Sequence, residues 1–423
     1  MKRLFISIII SFLCFNSVFA QSKDTLKHWG FSFILNPGRE AALDKYQKMM
    51  QKGVGNFSLG AEAKYSFLPQ DSNEYAHDYN YPELSFGVKY SFNHGITLHR
   101  TQNIAWGLAQ EVDYDSRMGN TFAFYGSFSR ALYRKKRWEI TYSLNFGGAY
   151  TSHKYNTHNA IDLELIGSRW LIFFGAGAHV AYQFADNWGV KLGFDYWHVS
   201  NGALNRPNKG ANIVGPSLAV LYRPYYNNVQ NARNLFKPKA FEKYFYLEFE
   251  AGLGAKTLHE DWQITQFQTP KGEPQYRTDD FKRYVAWDVK ASLMYRYGRR
   301  WASGLGIDLF YGSYSKHVAD LDAQAGSTLT HSPYSLGVAA KHQVYFNNLS
   351  LAVSLGVYLY RHMGENAKLV EKPYYENIGI RYSFPSLSGL QVGLNVKAHL
   401  LKADYTEVIL AFPVRISGRN NNK

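Results

Sequence analysis

The sequence has almost no cysteine. Its single cysteine, Cys14, lies inside MKRLFISIIISFLCFNSVFA, residues 1–20. There Lys2 and Arg3 precede an apolar run that ends in Val18-Phe19-Ala20, the pattern of a secretory signal peptide. Phe12 and Leu13 are too bulky for a lipoprotein cleavage box, so the mature chain is expected to start at Gln21. That chain has no disulfides and no thiol chemistry, even in a compartment that permits disulfides. No H-E-x-x-H or C-x-x-C spacing occurs, and no cofactor is expected. Beyond residue 20 no apolar run approaches the roughly 18 residues of a membrane helix.

Aromatic residues and glycine are abundant instead: 33 Tyr, 28 Phe and 35 Gly, with 46% hydrophobic residues overall. Together with an export signal, this composition suggests an all-β outer-membrane barrel rather than a secreted β-sandwich. The formal charge of +14, of which Lys2 and Arg3 leave with the signal, suits an anionic lipid surface; nothing else points to nucleic acid.

Period-two alternation is the main structural signal, because a lipid-facing strand must place apolar residues outward and small or polar residues inward. In 391–400, Val392, Leu394, Val396, Ala398 and Leu400 oppose Gln391, Gly393, Asn395, Lys397 and His399. The runs 350–360 and 406–416 read the same way. Scanning on this template gives strands near 56–67, 83–95, 103–114, 120–132, 137–150, 171–184, 187–200 and 212–225. A second set falls near 241–256, 281–296, 300–313, 331–346, 350–360, 373–384, 389–401 and 405–416. Residues 28–36 offer one further strand, followed by an amphipathic helical stretch at about 39–52. Short turns (134–137, 185–187, 298–300, 347–348) alternate with longer connections (151–170, 201–211, 257–280, 314–330, 361–371). The strand ending at Ser200 therefore runs outward. The polar link 226–240 separates two sets of eight. One barrel of about sixteen strands is favoured over two tandem eight-stranded barrels, since no internal repeat is visible. The divisions expected are 1–20 signal, 21–230 a half carrying the active site, and 231–423 a C-terminal half.

The stretch FDYWHVSNGALNRPNKGAN, 194–212, carries the candidate chemistry. Val190, Leu192, Phe194, Tyr196, His198 and Ser200 share one parity, so His198 and Ser200 continue a lipid-facing row, where polar residues are costly and usually functional. Two apart on a strand, they face the same way, and an imidazole beside a hydroxyl is what a serine esterase needs. Asn212 shares the outward parity of the next strand, and hairpin pairing can bring it beside His198 to hold the imidazole tautomer. The backbone N–H of Ser200 or Asn201, or the Asn201 side chain, can serve the oxyanion. The bland alternative is a rim His and Ser that only meet lipid head groups or cap a loop.

His198-x-Ser200-Asn201-Gly202 followed by Asn208-x-Gly210-x-Asn212 resembles the outer-membrane lipid A deacylases of the PagL type, and most closely their longer relatives labelled acyloxyacyl hydrolases. The resemblance implies a barrel with its site facing the outer leaflet. Ser200 would be nucleophile, His198 base, Asn212 the third triad member and Asn201 an oxyanion contributor, with Gly202, Asn208 and Gly210 in the supporting loop. The short deacylases carry Glu at the position of Asn212. The same spacing with Asn is similar to outer-membrane phospholipase A, so a phospholipid is the alternative substrate to lipid A or lipopolysaccharide. A non-catalytic porin or lipid-binding barrel is the reading from a different class. YPELSFGVKY and LNVKAHLLKADYTEV also look like segments of the longer relatives.

Other motifs are expected to be structural. GLGAKT (252–257) lacks phosphate-loop spacing and reads as barrel wall. RKKR (134–137) and YGRRW (297–301) read as solvated turns. LHEDW (258–262) reads as a solvated loop, with calcium a conceivable ligand.

Overall fold

The computed structural model describes residues 27–43, 45–102, 112–231, 235–400 and 402–416. The signal sequence and Cys14 lie outside them. Among the described residues there are seventeen strands: β1 (Trp29–Glu40), β2 (Gln51–Ser66), β3 (Glu83–Leu98), the two-residue β4 (Ser116–Arg117), β5 (Thr121–Lys135), β6 (Trp138–Thr151), β7 (Trp170–Gln183), β8 (Trp188–Ser200) and β9 (Ala211–Tyr222). They continue with β10 (Tyr244–Lys256), β11 (Tyr284–Gly298), β12 (Trp301–Gly312), β13 (Tyr334–Phe346), β14 (Leu349–Arg361), β15 (Tyr374–Phe384), β16 (Leu390–His399) and β17 (Lys402–Arg415). The ladders between these strands are antiparallel and join sequence neighbours or close a barrel, except that β3 pairs with β5 past the short β4.

The all-β membrane barrel expected from the alternation is present, but the sixteen long strands form two closed barrels of eight rather than one of sixteen. β9 returns to β1, with Phe31 opposite Tyr222, so the first sheet closes before the second begins. β17 likewise closes on β10, with Phe249 opposite Phe412. The first closure needs the strand at 28–36 that alternation offered only as an extra. Of the strand expected at 103–114, residues 103–111 lie outside the described residues, and 112–115 are irregular before β4. The helical stretch expected at 39–52 shrinks to α1 (Lys45–Met50), because β1 runs to Glu40 and β2 starts at Gln51. Absence of a repeat was a poor guide, since closure depends on hydrogen-bond register and lumen size rather than on sequence identity.

Eight strands enclose a lumen just wide enough for side chains to fill, and both lumens are filled by charge. In the second barrel, Lys290 bridges Glu250 (2.9 Å) and Glu407 (3.1 Å). Arg381 reaches Glu248 at 3.0 Å, and Lys341 meets Asp308 at 2.8 Å. In the first, Glu62 pairs with Lys64 (3.1 Å), and Asp195 accepts from Asn36 (2.8 Å) beside His179 (2.9 Å). These charges are stable away from water only because each is paired. The opposite faces are apolar and uncovered by protein: Val408, Leu410, Phe412 and Val414 on β17, and Leu192 and Phe194 on β8.

The barrels are tied at both ends. Where the short turns lie, the β2–β3 connection (67–82) reaches across to the second barrel. Arg299 donates to Asp78 (2.9 Å), Arg300 to the Asp78 carbonyl (2.9 Å) and Arg296 to Tyr75 (2.8 Å), while Phe67 packs edge-on against Phe346. YGRRW is thus an inter-barrel clamp, not the solvated turn expected. Within RKKR, Arg134 pairs with the buried Glu139 instead of facing water. At the other end Tyr155 donates to the Arg277 carbonyl (2.5 Å), and Lys154 meets Asp279 (2.7 Å).

Candidate active site

β8 runs from the short turn at 184–187 towards the long-loop end and terminates at Ser200. Its burial pattern confirms the parity. Lys191, Trp197 and Val199 are buried towards the lumen, while Trp188, Leu192 and Phe194 are exposed on the outer face that His198 and Ser200 continue. β9 pairs with β8 so that Asn212 stands directly opposite His198. Asn212 shares the outward parity of Val214, Leu218 and Val220. The hairpin therefore places His198, Ser200 and Asn212 on one outer patch, at the long-loop rim.

The side chains make a defined hydrogen-bonded pair. Asn212 Oδ1 lies 2.8 Å from His198 Nδ1 and also accepts the Tyr196 hydroxyl at 2.8 Å. An amide oxygen only accepts, so Nδ1 must carry the proton, and Nε2 is left with its lone pair as the basic nitrogen. Tyr196 was not singled out from the sequence as a site residue. The signal was its place two residues before His198 with the same parity, and its hydroxyl shares the acceptor that fixes the imidazole.

The rim loop roofs this patch. Phe194 is 67% exposed on the same row, whereas Ser200 is 8% and Asn212 only 1% exposed. Gly210, at φ 73°, lies against the His198 ring: a Cβ there would be 2.3 Å from Cε1. A glycine is required both by the left-handed backbone and by this approach. Asn208 accepts the Asn201 backbone N–H through Oδ1 at 2.9 Å, and the Asn201 side-chain amide donates to the Asn205 carbonyl at 3.1 Å. Asn208 thus ties down the backbone after Ser200, Gly210 lies against the imidazole, and Gly202 (φ 60°) opens the turn after Ser200. Asn201 is anchored on both nitrogens, leaving its second amide hydrogen for any further acceptor.

The remaining motifs fall elsewhere. Gly252–Lys256 of GLGAKT lie on β10 as wall. LHEDW forms the short helix α2 (His259–Gln263), with Asp261 paired to His317 at 2.7 Å. His259 stacks on Trp262 and is pushed down to about 3 by burial, reinforced by Arg206, Lys209 and Lys402. Among the described residues, two triplets have metal-like spacing: Glu371-His399-Asp404 and Glu250-Asp288-Glu407. Arg361, Lys256 and Lys397 pair with the carboxylates of the first, and in the second Lys290 contacts all three, with Arg381 also on Glu250.

Comparison with known proteins matches residues 80–221 to the lipid A 3-O-deacylase (PagL) family model, and residues 261–415 to the acyloxyacyl hydrolase C-terminal domain. The first match spans the whole candidate site. No curated protein matches. Among solved structures, the outer membrane enzyme PagL is similar at 13% identity and a TM-score of 0.27, covering 46% of this chain and 98% of that one. OccK11 of Pseudomonas aeruginosa is similar at 11% identity and a TM-score of 0.21, covering 92% and 96%. OccAB4 of Acinetobacter baumannii is similar at 10% and 0.22, covering 93% and 100%. By these two family models, residues 80–221 are similar to the lipid A 3-O-deacylases (PagL) and residues 261–415 to the acyloxyacyl hydrolase C-terminal domain that accompanies them.

Proposed function

We propose that this chain is an outer-membrane serine esterase that removes an ester-linked acyl chain from lipid A or lipopolysaccharide in the outer leaflet. The observation that carries the reading is the His198–Asn212 hydrogen bond, which leaves Nε2 basic on the face and at the rim where Ser200 sits. Ser200 Oγ attacks the ester carbonyl carbon and its proton passes to His198 Nε2. The tetrahedral intermediate collapses, the sugar oxygen leaves with that proton, and the fatty acid remains esterified to Ser200. Water then attacks the acyl-enzyme with His198 again as base, releasing the carboxylic acid. Asn212 and Tyr196 hold the imidazole and take no proton. The remaining Asn201 amide hydrogen and the Gly202 and Ala203 N–H groups supply the oxyanion site.

The site's setting fits a lipid substrate. Its outer row continues into Phe194 and Leu192, an apolar wall against which acyl chains can lie while the ester reaches the rim. The 21–230 half carries the whole triad. A phospholipid is the second reading, favoured by Asn rather than Glu at position 212. A porin is disfavoured, because paired charges fill both lumens. A lipophilic fluorophosphonate tests the nucleophile: it should label Ser200 in the wild type and fail in His198→Ala. Labelling that survives loss of His198 would remove the base–nucleophile assignment.

A further inference from the structure

The turn that follows the proposed nucleophile is held by the other barrel. Leu204 N–H donates back to the Asn201 carbonyl at 3.2 Å, closing a tight turn in which both Gly202 (φ 60°) and Ala203 (φ 69°) are left-handed. Glycine takes that conformation freely, but Ala203 carries a Cβ and pays for it. Such residues persist where the surroundings over-determine them, and they cluster at functional sites. Ala203 is fully buried, and its restraints come from across the barrel seam.

Thr406 Oγ1 donates to the Gly202 carbonyl at 3.1 Å. Thr257 donates twice to the Ala203 carbonyl, from its backbone N–H at 2.9 Å and from Oγ1 at 3.1 Å. Arg206 closes the circuit by donating to the Thr257 carbonyl from Nε and from one terminal nitrogen, at 3.3 and 3.2 Å. Thr257 directly follows β10, and Thr406 stands opposite Ala255 on β17, so both belong to one edge of the second barrel's rim. Because a peptide is planar, fixing the Gly202 carbonyl also fixes the Ala203 N–H in the opposite sense. Fixing the Ala203 carbonyl does the same for the Leu204 N–H, which closes the turn on the Asn201 carbonyl.

We propose that the C-terminal barrel is a positioning element for the site on the N-terminal barrel. Thr257 and Thr406 are its positioning residues, clamping the strained Asn201–Leu204 turn so that the peptide dipoles after Ser200 are aligned for the developing oxyanion. Neither threonine touches substrate; each acts through the turn. The inference rests on the esterase reading, and it gives the second barrel a task that a bare eight-stranded esterase lacks.

The test uses the purified full-length chain in detergent with lipid A as substrate. Thr406→Val and Thr257→Val should each lower kcat roughly three- to tenfold with KM within about twofold, the range expected for one hydrogen bond removed. Thr406→Ser should restore kcat, because the hydroxyl returns. Adding Ala203→Gly to Thr406→Val should recover part of the loss, since glycine needs no clamp to stay left-handed. Hydrogen exchange of the 198–206 segment supplies a readout free of catalysis, and should quicken in Thr406→Val. Wild-type kcat and exchange in the Thr257→Val/Thr406→Val double variant would overturn the proposal, as would a loss that serine fails to restore. If the wild type shows no Ser200-dependent hydrolysis yet exchange quickens, the esterase reading fails and the clamp stands.

Discussion

Asn212 Oδ1 stands 2.8 Å from His198 Nδ1, across a directly opposed residue pair of the β8–β9 ladder. Neighbouring strands are about 5 Å apart, so an opposed pair on one face is the arrangement in which a short amide can reach an imidazole without distortion. The rigidity of the hairpin passes to the ring, and the ring's tautomer follows from the acceptor it meets.

Replacing Asn212 with Ala should therefore leave a folded barrel but release the imidazole. Activity is expected to fall by roughly 10²–10³-fold, the scale of general-base catalysis, mostly in kcat. Tyr196→Phe, which removes only the second donor to Oδ1, should cost roughly three- to tenfold, as for a single hydrogen bond. Steady-state kinetics on both variants checks the order; equal losses would contradict the assignment of Asn212 as the principal orienting group.

Gly210 offers a steric test. A methyl group there would meet His198 Cε1 at 2.3 Å and would have to be carried at φ 73°. Gly210→Ala should displace the ring or the loop and reduce hydrolysis at least about tenfold, while heat-modifiable mobility of the barrel stays wild type. Unchanged hydrolysis would mean that the loop does not bear on His198.

The rim should be acid-sensitive. Burial, with Arg206, Lys209 and Lys402 nearby, holds His259 at about 3, below the ordinary histidine value of about 6.5. The folded state resists protonation and the unfolded state does not. The stability contributed by neutral His259 is thus full above pH ~6.5 and is lost progressively as pH falls towards 3. Thermal unfolding followed from pH 7 to 4 should show a decline that His259→Gln lessens. An identical decline in both proteins would exclude His259 as a source.

Neither barrel should conduct ions. Lys290, Glu250, Glu407 and Arg381 interlock across the second lumen, and Lys64, Glu62, Asp195 and His179 occupy the first. Purified protein in a planar bilayer is expected to give no stable single-channel steps. Steady steps abolished by a lumen substitution such as Lys290→Met would instead support the porin reading.

Much of this was legible in the sequence because lipid imposes a local rule. Each residue of a spanning strand must choose a side, so alternation reveals both the wall and the outward parity of His198, Ser200 and Asn212 without knowledge of the fold. Closure is not local. Whether β9 returns to β1 or continues to β10 depends on pairing between residues about 190 apart, such as Phe31 and Tyr222, and no short window contains that information. Arg299 shows the same limit: it reads as a solvated turn residue until the 67–82 connection is seen to reach it. Tyr196 was hidden differently: its parity puts it on the row of His198, but a tyrosine in an aromatic strand does not stand out from its neighbours until its hydroxyl meets Asn212. Thr257 and Thr406 carry none at all, because their partners lie in the other barrel.

The most direct measurement is mass spectrometry of lipid A and phospholipids from cells expressing the wild-type chain or Ser200→Ala, with outer-membrane insertion verified for both. The account predicts lipid A lacking one ester-linked acyl chain in the wild type alone, with phospholipids unchanged. Lysophospholipid appearing instead would move the substrate to phospholipids while keeping Ser200 as nucleophile. Identical lipid profiles from the two proteins would contradict the esterase assignment itself.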